Sequence, residues 1–109
     1  MAKPVEWRTQ ARHDVSDASL WYAREGGLAL GERFLSQLEA TLLQLSQFPD
    51  AGSTRHDGIV PGLPVALQFF PVTQFERFLV YYLDLPDHVE VIRIWHSARG
   101  LTALFNEDD

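Results

Sequence analysis

The plainest periodicity in the chain lies between Leu28 and Gln47, where Leu28, Gly31, Leu35, Leu38, Leu42 and Leu45 recur by threes and fours and Phe34 widens the stripe. That spacing predicts an amphipathic helix about 30 Å long, its leucines packed as core. Upstream, Ala11, Val15, Ala18 and Tyr22 recur at helical spacing between Gln10 and Glu25. Arg12, Asp14, Asp17 and Arg24 surround that stripe, and Trp21 lies at its edge. Thr9 is placed to cap this helix with its hydroxyl. Gly26-Gly27 ends it, because glycine tolerates the left-handed backbone that follows a helix C-terminus. So short a turn folds the two helices into an antiparallel hairpin. Gly31 disfavours a helix interior by about 1 kcal/mol, which marks a close approach to the first helix.

A period of two replaces the helical one elsewhere. Pro4 to Arg8 alternates Val5 and Trp7 against Glu6 and Arg8, and a leading proline suits a first-residue or edge position. Val65 to Phe70, ended by Pro71, Glu76 to Asp84, and Val89 to Trp95 read as three further strands, the last two joined by a turn at Pro86-Asp87. In the final strand Glu90, Ile92, Ile94 and His96 share one face, and Val89, Val91, Arg93 and Trp95 the other. Both faces are mostly apolar, so this strand reads as central, covered on one side and at least partly on the other. The segment from Asp50 to Pro64 is rich in Gly and Pro and has no regular structure of its own, and its length suggests a functional or mobile loop. Leu101 to Phe105 forms a short helical turn packing back on the sheet, and Asn106 to Asp109 frays. Strand, helical hairpin and three-stranded meander make an α+β domain with the hairpin on one sheet face.

Composition narrows the function. With 109 residues, 46% of them apolar, the chain is one domain (1–109) with a real core. Nine basic residues face fifteen acidic ones, a net charge of −6, and Lys3 is the sole lysine. That balance argues against direct binding of free nucleic acid, which draws most of its affinity from phosphate neutralisation. Without cysteine there is no disulfide framework or thiol nucleophile, and the four histidines show no metal-ligand spacing. Neither a metal nor a cofactor is expected. No apolar run approaches the ~20 residues of a membrane span, and no apolar segment follows Lys3 to make a signal peptide. The expectation is a cytoplasmic protein with no membrane partner.

Candidate chemistry is sparse. No Gly-x-Ser-x-Gly elbow is present, and Gly26-Gly27 follows a helix, so it is no phosphate loop. Asp14 and Asp17 read as a solvated helix face. His96 reads as a hydrogen-bonded core residue, and His13, His56 and His88 as surface. Arg93 is unusual, since a charge inside an apolar strand needs a partner or a ligand. It either pairs with an acid such as Glu6 or Asp84, or faces a groove for a carboxylate or phosphate that its planar fork suits. Trp95 beside it is core or an aromatic anchor. Trp21 and Trp95 together exceed one small core's needs and suggest a hydrophobic groove on a second apolar sheet face, awaiting a partner.

Several blocks together resemble the ParE branch of the RelE/ParE superfamily of toxin–antitoxin toxins. They are Ala11-Arg12-His13-Asp14-Val15, Phe34-Leu35 to Leu45 followed by Phe48-Pro49-Asp50-Ala51-Gly52, Val60-Pro61-Gly62-Leu63, Phe78-Leu79-Val80-Tyr81-Tyr82, and Val89 to Arg99. The chain departs from the family pattern at Pro64, where many relatives carry arginine, and at Gly100, where many carry an acid. The resemblance implies a helical hairpin on a curved, mainly antiparallel sheet. It also implies a growth-inhibiting toxin neutralised by a ParD-like antitoxin, a ribbon-helix-helix protein with an amphipathic C-terminal segment. ParE-like toxins are associated with DNA gyrase, whereas RelE-like relatives cut messenger RNA on the ribosome. One lysine is a thin basis for phosphate chemistry, which favours a binding inhibitor over a catalyst, with no catalytic residue assigned. A non-toxic antitoxin-binding scaffold is a third possibility. The candidates for target or partner contact are Arg93, Trp95, Arg99, Trp21 and Tyr81. Those for an acidic antitoxin tail are Arg12, Arg24, Arg33 and Arg77.

Overall fold

A computed structural model describes residues 2–106; of the tail expected to fray, residues 107–109 lie outside the described residues. The elements in chain order are β1 (Val5–Trp7), α1 (Thr9–Gly26), α2 (Leu28–Gln47), a 3-10 turn (Pro49–Ala51), β2 (Leu67–Val72), β3 (Phe75–Asp84), β4 (Val89–His96), a second 3-10 turn (Ser97–Arg99) and α3 (Leu101–Asn106). The helical hairpin is as expected. Thr9, however, is the first helical residue and not the cap; Arg8 holds the cap position, and its side chain makes no capping bond to the helix. The backbone N–H of Arg8 donates to the Val91 carbonyl at 3.0 Å, so pairing with β4 sets where β1 turns into α1. Gly27 joins the helices with φ of 95°, a backbone state that glycine reaches without strain. A Cβ on Gly31 would lie 2.8 Å from the Ser19 carbonyl oxygen and 3.1 Å from the Ala23 Cβ, which is the close approach its place in α2 implied.

The strands form one four-stranded sheet in the order β1-β4-β3-β2. β1 runs parallel to β4, Val5 facing Val89 and Trp7 facing Val91, while β4, β3 and β2 pair antiparallel. β2 continues through Pro71 instead of stopping there. It is an edge strand, where a missing N–H is tolerated, and the register slips beside that proline.

The hairpin packs Ala11, Ala18, Phe34, Leu38 and Leu45 against Val80, Tyr82, Val89, Val91 and Ile94. Opposite, Leu67, Tyr81, Leu83, Ile92 and Trp95 form a second cluster, covered by Val60, Leu63 and Val65 from the segment before β2 and by Leu101 and Leu104 of α3. The second apolar face is therefore filled by the chain itself and is no open groove. A bulge divides β4 between the two clusters: Tyr81 faces Arg93 and Tyr82 faces Val91, leaving Ile92 as the extra residue. Simple alternation would group Ile92 with Ile94; the bulge places Ile94 with Val89 and Val91 toward the helices, and Ile92 with Trp95 on the far side.

Candidate functional site

The geometry of the site begins with the shortness of β1. It ends at Trp7, opposite Val91, while β4 continues to His96 beside α1. The strand edge so exposed carries backbone groups that need partners. Asp14 supplies one: its Oδ2 accepts the Ile94 N–H at 3.0 Å. The same carboxylate receives Arg93, Nε to Oδ2 at 2.8 Å and Nη2 to Oδ1 at 2.9 Å, with both side chains buried. This is the two-pronged geometry that makes arginine–carboxylate pairs strong and directional. Arg93 thus pairs with neither Glu6 nor Asp84, and Asp14 is not part of a solvated face. The clue was its position between Ala11 and Ala18, the other buried residues of α1.

From Arg93 the array continues toward the C-terminus. The Arg93 Cζ lies 4.6 Å from the Trp95 ring centroid and the Arg99 Cζ 4.0 Å from it. Two guanidiniums over one indole are attracted by the negative charge of its faces. The Trp95 Nε1 donates to the Gly100 carbonyl at 3.1 Å, and only 1% of the residue is exposed. Next to it, the His96 Nδ1 accepts the Ala98 N–H at 3.1 Å while the ring meets Phe78 edge-on. A groove of about 320 Å³ opens here between α1 and the end of β4, lined by Asp17, Ala18, Trp21, Ile94, His96 and Arg99 among others. Trp21 is 52% exposed and forms its aromatic wall.

Of the residues singled out from sequence, Trp21 and Arg99 therefore meet at one groove, with Arg93 and Trp95 behind Arg99. Tyr81 lies in the far cluster, fully buried. Arg12, Arg24, Arg33 and Arg77 are all exposed but spread over α1, α2 and β3. Arg12 borders a hollow with Trp7 and Val15, and Arg77 another with Tyr22 and Phe75.

Burial pushes the phenols of Tyr81 and Tyr82 up to about 12. The Tyr82 hydroxyl donates to the Pro49 carbonyl at 2.7 Å and accepts the Gly52 N–H at 2.8 Å, fastening the end of α2 to the sheet. Lys3 is held by Asp84 at 2.6 Å. Two histidines expected at the surface are half-buried instead. His56 stacks on Phe69 with its Nδ1 2.8 Å from the Tyr81 hydroxyl. His88 bonds Asp87 at 2.7 Å and Glu90 at 3.2 Å, contacts that raise its pKa. Among the described residues no group of three His, Cys, Asp or Glu side chains is placed to hold a metal ion, and no helix is long and apolar enough to cross a membrane.

No curated protein matches the sequence significantly. The fold is similar to that of a solved chain from the chromosomal ParDE TA system of P. aeruginosa, with a TM-score of 0.69 at 16% identity, covering 87% of this chain and 96% of that one. The family model for the ParE toxin of the type II toxin–antitoxin system parDE matches residues 5–101. With a match over nearly its whole length, the α+β chain with its N-terminal strand, helical hairpin and mixed sheet belongs to the ParE toxin family, the toxin side of a type II system whose other member is an antitoxin.

Proposed function

We propose that this chain acts as a single-domain toxin that arrests growth by binding DNA gyrase in the cytoplasm, with no catalytic step of its own. The observation that supports this reading is the state of Arg93 and of the two tyrosines of β3. Arg93 is committed to Asp14 inside the fold, and both tyrosines are buried phenols held far above neutral pH. A general acid or base works best with a pKa near the working pH, and neither tyrosine meets that condition. What the surface offers is a recognition site: an exposed indole at Trp21 and the Arg99 guanidinium across a groove from it, the residue types that dominate binding energy at interfaces. The ParD-like antitoxin would be a ribbon-helix-helix protein whose amphipathic C-terminal segment docks acidic residues on exposed arginines, with Arg12, Arg24, Arg33 and Arg77 as candidates.

Supercoiling of relaxed plasmid by purified gyrase tests the target. Stoichiometric toxin is expected to inhibit the reaction or trap cleaved DNA, and Trp21→Ala with Arg99→Ala to relieve the effect. Uninhibited supercoiling would refute the reading. Cleavage of ribosome-bound message by the same preparation would replace it with the RelE-like alternative.

A further inference from the structure

His96 closes β4 and lines the groove beside α1, and only one of its ring nitrogens is used inside the fold. Nδ1 accepts the Ala98 N–H at 3.1 Å. A backbone N–H can only donate, so Nδ1 is the bare nitrogen and the ring hydrogen sits on Nε2. The turn after β4 thus fixes the tautomer. Phe78, meeting the ring edge-on with centroids 4.9 Å apart, fixes its plane. The Nε2–H makes no hydrogen bond among the described residues, and it is not sealed from solvent.

We propose that the His96 Nε2–H, together with the Arg99 guanidinium, receives the carboxylate of an acidic side chain from the bound protein, and that an apolar residue beside that acid fills the groove against Trp21, Ala18 and Ile94. This rests on the groove being a recognition site. His96 and Arg99 belong to the end of β4 and the turn after it, and Arg99 is held over Trp95 at 4.0 Å. A fixed N–H donor and a guanidinium on one wall are the partners that a carboxylate bonds most strongly. The α1 wall contributes two acids of unequal standing. Asp14 is already bound by Arg93 and the Ile94 N–H, whereas Asp17 is exposed. An acid entering the groove is therefore turned away from α1, toward His96 and Arg99. Asp17 and the net charge of −6 weigh against a phosphate, which brings more negative charge than a carboxylate. The volume of about 320 Å³ has an apolar floor that an acid alone would leave unfilled, which is the place of the neighbouring apolar residue.

The test titrates the purified chain with N-acetyl-Leu-Glu-amide and with its uncharged analogue N-acetyl-Leu-Gln-amide, reading binding from the NMR signals of the Trp21 indole and the His96 ring. The Glu peptide should bind about tenfold more tightly. Two variants separate recognition from capping. His96→Gln places an amide N–H where Nε2 stands and gives up the bond from Ala98; His96→Asn keeps an acceptor for Ala98 and gives up the Nε2 donor. Both lose the ring on Phe78, so that loss does not distinguish them. Recognition through Nε2 requires that His96→Gln keep the preference for the Glu peptide and that His96→Asn lose it. The reverse order, a ring hydrogen found on Nδ1 from the nitrogen shifts of His96, or equal or absent binding of the two peptides would each overturn the proposal. The supercoiling assay is run beside it: uninhibited gyrase with a Glu-selective groove removes the target and upholds the subsite, and inhibited gyrase without Glu selectivity does the opposite.

Discussion

Replacing Asp14 with alanine tests the central joint of the fold. The carboxylate accepts three hydrogen bonds, from Arg93 Nε, Arg93 Nη2 and the Ile94 N–H. Removing one partner of a buried ion pair costs about 3–5 kcal/mol, and depriving a buried backbone donor of its acceptor about 1–3 kcal/mol. These losses overlap because they share one side chain, so we expect about 4 kcal/mol in total. A domain of this size is stable by about 5–15 kcal/mol, so Asp14→Ala should fold with little margin. With a urea slope of about 1–3 kcal/mol per molar, the unfolding midpoint should fall by about 2 M. The assay is urea unfolding followed by tryptophan fluorescence. Asp14→Leu combined with Arg93→Leu should recover much of the loss, because a matched apolar pair leaves no buried charge behind. A midpoint shift under about 0.5 M for Asp14→Ala, or a double variant as unstable as the two single losses summed, would refute the reasoning.

Gly31→Ala should destabilise by about 1–3 kcal/mol through overpacking, since the new methyl meets the Ser19 carbonyl of α1; thermal unfolding checks it, and a neutral or stabilising outcome would mean the helices can part at that point. Tyr82→Phe should cost about 1–3 kcal/mol, with faster proteolysis after Phe48, because the hydroxyl ties Pro49 and Gly52 to the sheet. For His88, hydrogen bonds to Asp87 and then Glu90 raise the folded-state pKa. Its contribution to stability is therefore complete below the ordinary histidine value and lost as pH rises through the raised one. Subtracting the pH profile of a His88→Gln variant from that of the unmodified chain should isolate this alkaline loss, and identical profiles would contradict it.

The helices were legible because nothing interrupts their period: Leu28 to Gln47 is bounded as its leucines imply. The strands were legible as elements but not in their faces, because the bulge at Ile92 inverts the alternation of β4 and nothing local to that strand encodes it. Arg93 announced itself as a charge that needed a partner, yet the partner lies 79 residues away on another element. Only the apolar flanks of Asp14, Ala11 and Ala18, hinted at its burial. Of the candidate residues, Trp21 and Arg99 do converge on one groove. That Trp95 and Tyr81 are buried followed from cover supplied by a segment without periodicity and by α3, which local pattern does not reveal.

The parallel pairing of Val5 with Val89 has a consequence for how the toxin comes into being. β1 is translated well before its partner β4, and the Asp14–Arg93 joint waits for the same strand. Contacts between such distant positions form late, because the intervening chain must first be closed into a loop. A nascent chain therefore carries its helical hairpin without the sheet that supports it, and the groove beside Trp21 does not exist until β4 is delivered.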